Sequence, residues 1–349
     1  TYNWLKKADT YFNQERRTAH ENPKCQTRYP EIIILLLRSF FKTFFQNFLL
    51  FYHWLYPIGK RTSHLLDGSV PYQNIWALEE VAQIALQQFF HTLRIKTHSI
   101  LFLIIDDTIA QKSGKKIPGC SWYKDHAQNM ANVFGHQWVL SALLYKDFLL
   151  PLWAKLYHPK GTKGCGCFQT KITMAQRIIQ GLQLPLPCKL YVLADSWYWA
   201  KTLASVCRKC GYHMISQLKS TSVLWMHGKK TKVTTLLTLG SAYREVSLFL
   251  YGKNKTLRVA RFVGVIQGLG KVAVVVVKEK RKKTSYLVST NLHLSAIDII
   301  KYYAKRWKIE QMIKDLKQRL GLGDYQVRNL QAIQRYAALS LLSYALLIL

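Results

Sequence analysis

Two short apolar runs, each followed directly by aspartate, restrict the fold of this chain more than any other feature. Residues 99–105 lead into Asp106 and Asp107, and residues 190–194 lead into Asp195. Short runs without polar alternation are typical of strands that are buried on both faces, as in parallel sheets covered by helices. Ligand sites in open α/β sheets lie beyond the carboxyl ends of such strands. The sequence therefore predicts an α/β fold with acidic groups at one end of its sheet.

The charge of the chain indicates a polyanionic partner. Lys and Arg number 50 against 18 Asp and Glu, which gives a net charge of +32. So large an excess repels itself when nothing acidic is bound, and nucleic acid is the commonest polyanion. A basic ribosome-like protein or a protein bound to a membrane surface is the alternative. Because 49% of the residues are hydrophobic, we expect a packed core and not disorder.

Hydrophobic patterning divides the chain into four parts. Residues 1–98 begin with a polar arm and continue as helices. Residues 99–219 alternate strands and helices and form the first part of a core, and residues 220–290 are β-rich, with Gly and Lys at the turns. Residues 291–349 are helical and complete the core. We expect a mixed sheet flanked by helices, with a β-rich insertion and a helical N-terminal domain.

Some element boundaries follow from the same patterns. The strand before Asp106 is expected to stop at Ile105, residues 233–239 are expected to be a strand, and residues 295–320 are expected to form one helix. Residues 268–270 predict a hairpin turn, because no helix follows them as a phosphate-binding loop requires.

The cysteines do not indicate a disulfide-stabilised or zinc-binding protein. There are seven, an odd number at low density, which fits a reducing compartment. Cys207 with Cys210, and Cys165 with Cys167, could be half-sites for zinc. No matching pair stands at zinc-finger spacing, so buried or incidental thiols are the better interpretation.

The sequence favours no membrane association. It contains no secretory signal, and its most apolar early stretch is residues 32–56. Arg38, Lys42 and His53 interrupt this stretch, and its uncharged pieces are too short to cross a bilayer. We expect a buried helix there, with a membrane segment as the weaker alternative.

A third acid lies in the C-terminal helical part. Arg306, Glu310, Lys314 and Lys317 follow at i, i+4, i+8 and i+11 along one helical face, with Tyr303 about one turn earlier. A helix that presents one acid among cations can bind a metal ion together with the adjacent phosphates. The alternative is a solvated amphipathic helix with i,i+4 ion pairs.

The same helix carries a spaced signature. Four of its residues follow the pattern Y-x2-R-x3-E-x6-K: Tyr303, Arg306, Glu310 and Lys317. This resembles the YREK signature of DDE transposases from bacterial insertion sequences. Residues 105–108 resemble the first-acid motif of that family and residues 193–196 resemble the second, in the right chain order. The resemblance covers about residues 99–325.

The resemblance implies an RNase H-like core whose three acids bind two Mg²⁺ or Mn²⁺ ions. In this chain they would be Asp107, Asp195 and Glu310. Because adjacent strand residues point to opposite faces, only one of Asp106 and Asp107 can face the site. The family places its ligand immediately before Thr, which favours Asp107. The family also carries a β-rich insertion between the second and third acids, where residues 220–290 already predict one.

The resemblance also implies DNA contacts beside the acids. Tyr303, Arg306 and Lys317, with Lys314 on the same face, would hold phosphates near the cleaved bond. The family flips a base onto an aromatic residue near the last strand of its insertion. Tyr286 is the nearest aromatic here, although the family residue is typically Trp and plain strand packing is the alternative.

A basic run at residues 278–283 lies between two predicted strands. Its residues Lys280, Arg281 and Lys282 would contact phosphates without reading sequence. A solvated hairpin tip is the alternative interpretation.

The activity that the resemblance implies is metal-dependent cutting of transposon ends in double-stranded DNA and their joining to target DNA. It also implies a homodimer or larger synaptic complex, acting at the nucleoid in a bacterial cytoplasm. Residues 1–98 would bind the transposon end. The alternatives are an RNase H-like nuclease or resolvase without strand transfer, and a domesticated DNA-binding protein without catalysis.

Overall fold

The computed structural model describes residues 78–348, apart from residues 115, 126–130, 163–167 and 240–241. Most of the predicted N-terminal region, including the apolar residues 32–56, lies outside the described residues, as do Cys165 and Cys167. None of the helices in the described part is long and apolar enough to cross a membrane.

Strands and helices alternate in the first half, and strands dominate the middle of the chain. The helices are α1 (Leu78–Thr92), α2 (Lys171–Gly181), α3 (Lys201–Lys209), α4 (Ala296–Ala304), α5 (Trp307–Gln318) and α6 (Leu330–Ile348). The strands are β1 (Ile100–Gln111), β2 (Ser121–Asp125), β3 (Ala131–Tyr145), β4 (Phe148–Tyr157), β5 (Lys189–Ala194), β6 (His213–Leu218), β7 (Val223–Met226), β8 (Lys229–Lys232), β9 (Arg244–Leu250), β10 (Lys253–Ile266), β11 (Gly270–Glu279) and β12 (Ser285–Ser289). A 3-10 helix spans Val233–Thr238.

The described strands form one mixed sheet. Its first part has the order β4-β3-β1-β5-β6, in which β1, β5 and β6 are parallel and the β1, β3 and β4 pairs are antiparallel. Parallel neighbours need a crossover, and α2 and α3 belong to the two connections. This confirms the predicted α/β class, with a mixed sheet of RNase H-like type flanked by helices.

The β-rich residues extend this sheet and do not form a separate one. Strand β12 pairs antiparallel with β6, from Tyr286 opposite Leu218 to Ser289 opposite Ile215. The order then continues through β11, β10, β7 and β8, with β9 paired to β10. The domain limits at 219/220 and 290/291 stay a prediction, although strands β7 to β12 lie between them.

Helices cover both faces of the sheet. On one face Phe102 and Ile104 of β1 share a core cluster with Ile309, Met312 and Leu316 of α5. Each of these five side chains is at most 3% exposed. Burying one such side chain contributes about 1.5–3 kcal/mol, so this packing fixes the position of α5 against β1. Helix α2 covers the opposite face with its buried side chains Met174, Ala175, Ile178 and Ile179.

Three predicted boundaries were wrong. Strand β1 does not stop at Ile105 but continues to Gln111, because β3 is long enough to pair with it as far as Gln111 opposite Gly135. Residues 233–239 contain a 3-10 helix, in which the buried residues Val233 and Leu236 are three apart. Residues 295–320 form two helices, since Lys305 and Arg306 donate backbone bonds to residues three positions earlier.

Candidate active site

Strand pairing brings Asp106 beside Asp195. Parallel pairing of β1 with β5 runs to Ile104 opposite Leu193, and β5 ends at Ala194. Continuing this register by two residues places Asp106 opposite Asp195, and aligned residues of parallel strands point to the same face. Both acids therefore lie where the β1–β5 ladder ends, on the face that α5 covers.

Asp107 points to the opposite face. Its Oδ2 accepts hydrogen bonds from Lys171 Nζ of α2 at 2.8 Å and from Gln137 Nε2 of β3 at 2.5 Å. Its Oδ1 accepts a bond from the Tyr198 hydroxyl at 3.3 Å. The acid-before-Thr motif had predicted that Asp107 lies with Asp195 and Glu310. The structure instead turns its side chain away from them. The reason is strand alternation, which sends Asp106 toward α5 and Asp107 away from it.

Arg306 joins Asp106 to Glu310. Its Nη1 lies 2.7 Å from Asp106 Oδ2, and its Nη2 contacts Glu310 Oε1. The Arg306 and Asp106 side chains are 17% and 16% exposed, so water screens this ion pair only in part. Asp106 on β1 and Glu310 on α5 therefore belong to one site, with a guanidinium between them.

Burial dominates the ionisation of Asp106. Burial raises the pKa of this carboxyl, Arg306 and the Asp107 backbone N–H lower it, and Asp195 raises it, with a net pKa of about 7. That N–H donates to Asp106 Oδ1 at 2.9 Å. A carboxylate desolvated beside another carboxylate is a high-energy arrangement that a bound cation would relieve.

A tight turn orients the Asp195 carboxylate. Its Oδ1 accepts backbone N–H bonds from Trp197 at 2.9 Å and from Tyr198 at 3.2 Å. The Ser216 hydroxyl donates to the Asp195 carbonyl at 2.8 Å and so ties the end of β5 to β6. This turn also explains why α3 begins at Lys201 and not directly after the acid.

Tyr198 connects this turn to the opposite face of the sheet. Its side chain is completely buried, and its hydroxyl contacts Asp107. Burial, together with the charges of Asp107, Asp106 and Asp195, raises the pKa of Tyr198 well above its ordinary value. The phenol therefore stays protonated and remains a hydrogen-bond donor.

Glu310 lies in the first turn of α5, where the partial positive charge of a helix N-terminus favours a carboxylate. The chain reaches it through α4, whose first turn is capped by the Ser295 hydroxyl at 3.1 Å from Asp298 N. The side chain of Arg261 on β10 holds the preceding segment through the carbonyls of Leu292 and Leu294. Strand β10 thus contributes directly to the placement of α4, the helix that leads into α5.

The other signature residues are placed unequally. The Tyr303 hydroxyl lies 3.5 Å from Gln217 Oε1 at the end of β6, and burial raises the pKa of Tyr303 to about 12. Lys317 Nζ donates to the Ile109 carbonyl of β1 at 2.6 Å, so its ammonium supports the backbone beside the acids. Lys314 is exposed on α5. Tyr303 lies close to the acids, while Lys317 is engaged by protein.

Tyr286 does not present a free ring for a flipped base. It is only 5% exposed and is paired within the sheet between Leu218 of β6 and Val276 of β11. Its position fits the alternative of strand packing. Strand β12 lies in the interior of the sheet, and the protein covers the Tyr286 ring.

The basic turn of residues 280–283 is exposed, which is compatible with the predicted phosphate contacts and with a solvated hairpin tip. It joins β11 to β12, and the pairing of Tyr286 with Leu218 places it at the same end of the sheet as the carboxyl ends of β5 and β6. Lys282 Nζ lies 2.9 Å from Glu279 Oε1. Lys280 and Arg281 are exposed beside that pair.

Two aromatic residues near the acids were missed in the sequence analysis. Tyr251, in the turn between β9 and β10, contacts Trp307 of α5 edge to face, with ring centroids 6.0 Å apart. The two side chains are 51% and 47% exposed. Burial raises the pKa of Tyr251, Arg306 lowers it, and Glu310 and Glu279 raise it, so the ring lies within electrostatic range of these charges. Trp307 directly follows the signature Arg306, which is the only local signal for this pair.

The acids suit a hard divalent cation, although Arg306 now holds two of them. Carboxylate oxygens are the donors that Mg²⁺ prefers. In the described part of the chain, no three Asp, Glu, His or Cys side chains converge closely enough to hold a metal ion as they stand. The Arg306 guanidinium lies between Asp106 and Glu310, so a cation shared by these acids would have to displace it from at least one.

Comparison with protein families gives one match. The model of the transposase DDE domain matches residues 98–346, which is more than half of the chain and includes all the acids discussed above. A comparison with curated proteins found no match.

Proposed function

Because the chain belongs to the transposase DDE domain family, we propose that it cuts the ends of a transposon and joins them to target DNA. The observation that carries this proposal is the arrangement of Asp106, Asp195 and Glu310. Strand register puts the first two together, and Arg306 links the first to the third. We call these residues the three-acid group.

In this proposal Asp106 replaces Asp107 as the first metal ligand. Asp106 faces α5, whereas Asp107 is engaged by Lys171, Gln137 and Tyr198 on the other face. Two Mg²⁺ or Mn²⁺ ions held by the three-acid group would activate the attacking oxygen and stabilise the leaving oxygen. The protein itself supplies the rigid backbone of β1, the end of β5 and the helix N-terminus that position these carboxylates.

Arg306 has two roles in the proposal. Without a cation it neutralises Asp106 and Glu310, which are otherwise crowded and partly desolvated. When a cation takes over those acids, the guanidinium becomes free to bind a phosphate of the DNA, for which its planar donor geometry is suited. Tyr303 lies beside it and would contact the same backbone.

DNA would approach the carboxyl end of β5 and β6. The exposed basic turn lies at that end of the sheet, and the net charge of +32 favours a long phosphate track. The exposed rings of Tyr251 and Trp307 stand next to Arg306 and could stack on an unpaired base, which Tyr286 is too buried to do.

The wider assignments belong to the same proposal. The spacing of Tyr303, Arg306, Glu310 and Lys317 supports the YREK group of bacterial insertion sequences. Residues 1–98 would bind the transposon end and residues 220–290 would be the insertion within the core. Two ends must be held for joining, which favours a dimer or larger synaptic complex. The protein would act at the nucleoid in the bacterial cytoplasm.

The proposal is tested with a plasmid carrying the DNA that flanks the coding sequence as candidate ends. We expect Mg²⁺-dependent nicking at those ends, followed by joined products with a second DNA. Asp195→Ala should abolish both while leaving DNA binding largely intact. Unchanged nicking by Asp195→Ala would contradict the three-acid group, and nicking without any joined product would favour a hydrolytic nuclease.

A further inference from the structure

A buried polar group lies on the face of the sheet opposite the three-acid group. At its centre is Asp107, which receives hydrogen bonds from Lys171, Gln137 and Tyr198. These donors come from α2, from β3 and from the turn after β5. The side chains of Lys171 and Asp107 are 12% and 21% exposed, Gln137 is 7% exposed and Tyr198 is fully buried.

Tyr198 connects this group to the active site with two different bonds. Its hydroxyl donates to Asp107 Oδ1 at 3.3 Å, and its backbone N–H donates to Asp195 Oδ1 at 3.2 Å. One residue therefore contacts an acid on each face of the sheet. The hydroxyl bond to Asp107 therefore restrains the same residue whose backbone N–H holds the Asp195 carboxylate.

We propose that Asp107 is a positioning residue that acts through Tyr198 to hold the Asp195 carboxylate in the orientation required for metal binding. This inference rests on the proposed function, because it assigns Asp195 as a metal ligand. It gives the second acid of the Asp106–Asp107 pair a role of its own.

The surroundings of Lys171 explain how Asp107 is itself held. The Lys171 ammonium lies 4.7 Å from the centre of the Trp197 ring and 5.4 Å from that of Tyr157. Trp197 also packs edge to face against Tyr198, with ring centroids 5.1 Å apart. The ammonium thus contacts both Asp107 and the turn residue whose N–H donates to Asp195. Charge and ring packing restrain the turn from the same side.

Orientation matters because Asp195 Oδ1 already accepts two backbone bonds. Such bonds fix the carboxylate plane and leave its second oxygen to take a cation. Residues that hydrogen-bond or orient metal ligands typically change metal affinity by about 10–100-fold when they are altered. The Tyr198 hydroxyl acts one step further back, so we expect an effect near the lower end of that range.

The test is the affinity of the full chain for Mn²⁺, measured without DNA from the loss of the free Mn²⁺ paramagnetic resonance signal. Tyr198→Phe removes only the hydroxyl and should weaken binding by about 10-fold. Tyr191→Phe is the matched control, because Tyr191 lies on β5, is 4% exposed and its hydroxyl accepts a bond from Asn291 at 2.9 Å. The control should bind Mn²⁺ like the wild type and lose similar thermal stability.

A double variant identifies the route. If Asp107 acts through Tyr198, then Asp107→Ala combined with Tyr198→Phe should bind Mn²⁺ no more weakly than Asp107→Ala alone. Additive losses would overturn the connection. Equal affinities for Tyr198→Phe and Tyr191→Phe would overturn the positioning role even if Asp107→Ala is too unstable to measure.

Asp195→Asn separates this inference from the proposed function. If that variant loses Mn²⁺ binding while Tyr198→Phe retains it, only the positioning role is overturned. If Asp195→Asn binds Mn²⁺ with wild-type affinity, the assignment of the metal ligands fails, and the positioning role fails with it.

Discussion

Asp106 and Asp107 are adjacent in β1 but are bound by cations on opposite faces of the sheet, the first by Arg306 and the second by Lys171. Both ion pairs are largely shielded from water. The two carboxylates therefore have separate surroundings although their backbones are covalently joined, and substitutions at the two positions should have different consequences.

Asp106→Asn should lower DNA cleavage by at least about 1,000-fold, because losing a metal ligand removes roughly 4 kcal/mol of transition-state stabilisation. Asp107→Asn should lower it by no more than about 100-fold, as expected for a residue that only orients a ligand. Single-turnover nicking rates at saturating Mg²⁺ measure both. A greater loss in Asp107→Asn than in Asp106→Asn would return the ligand role to Asp107.

Arg306→Met should lower the melting temperature of the metal-free protein, since Asp106 and Glu310 lose their shared counterion. Added Mn²⁺ should then raise the melting temperature more than in the wild type, because it no longer has to displace the guanidinium. Differential scanning fluorimetry across a Mn²⁺ series measures this. Lys314→Met, at an exposed site of the same helix, is the control, and an equal Mn²⁺ response in both variants would contradict the competition.

Replacing Lys280 and Arg281 together by Ala should weaken DNA binding on all sequences. The slope of log K against log salt should fall by about 2, as expected for two lost phosphate contacts. Fluorescence anisotropy at several salt concentrations gives the slope. Lys209→Ala is a charge control at the end of α3, away from the carboxyl ends of the strands, and an equal loss per charge in the control would show that only net charge matters.

Tyr286 and Tyr251 should behave in opposite ways. Tyr286→Ala removes a buried ring and should cost about 3–5 kcal/mol of unfolding free energy in urea. Tyr251→Asn should cost little stability, because the ring is half exposed and Asn tolerates the positive φ of 54°. It should weaken binding of an end with an unpaired base by about 1–3 kcal/mol. If the wild type and Tyr251→Asn bind the unpaired end with equal affinity, as they are expected to bind a fully paired end, base stacking on Tyr251 is excluded.

The described domain should become less stable as the pH is lowered past about 6.5, in part because of His136. This completely buried imidazole contacts the Tyr325 hydroxyl at 2.5 Å and the Pro118 carbonyl at 2.8 Å. Burial lowers the pKa of His136, so the unfolded chain binds the proton more readily and acid favours unfolding. Melting temperatures between about pH 7 and 5 should decline less in His136→Gln. If the melting temperatures of the wild type and His136→Gln decline equally, residues other than His136 cause the acid sensitivity.

The sequence predicted the elements that depend on local pattern. The region expected to be β-rich, residues 220–290, contains strands β7 to β12, and the hairpin turn expected at residues 268–270 joins β10 to β11. The 3-10 helix was missed because Val233-Thr234-Thr235 favours a strand by propensity, whereas the buried positions Val233 and Leu236 are three apart. The burial of two side chains three positions apart therefore outweighed the strand propensity of these residues.

The choice between Asp106 and Asp107 needed information that no local pattern contains. It depends on the register between β1 and β5, which are separated by three strands and a helix in the chain. Alternation alone showed that only one acid could face Glu310. The identity of that acid follows from the pairing of Ile104 with Leu193, a contact between distant residues.

The pairing of β12 with β6 has a consequence for engineering. Because this ladder joins the inserted strands to the core, excising residues 220–290 would leave β6 as an exposed edge strand with unpaired N–H and C=O groups. Such an edge recruits strands from other molecules. A shortened chain of this kind is expected to self-associate, so a minimal catalytic fragment would have to retain β12 or replace it with another covering strand.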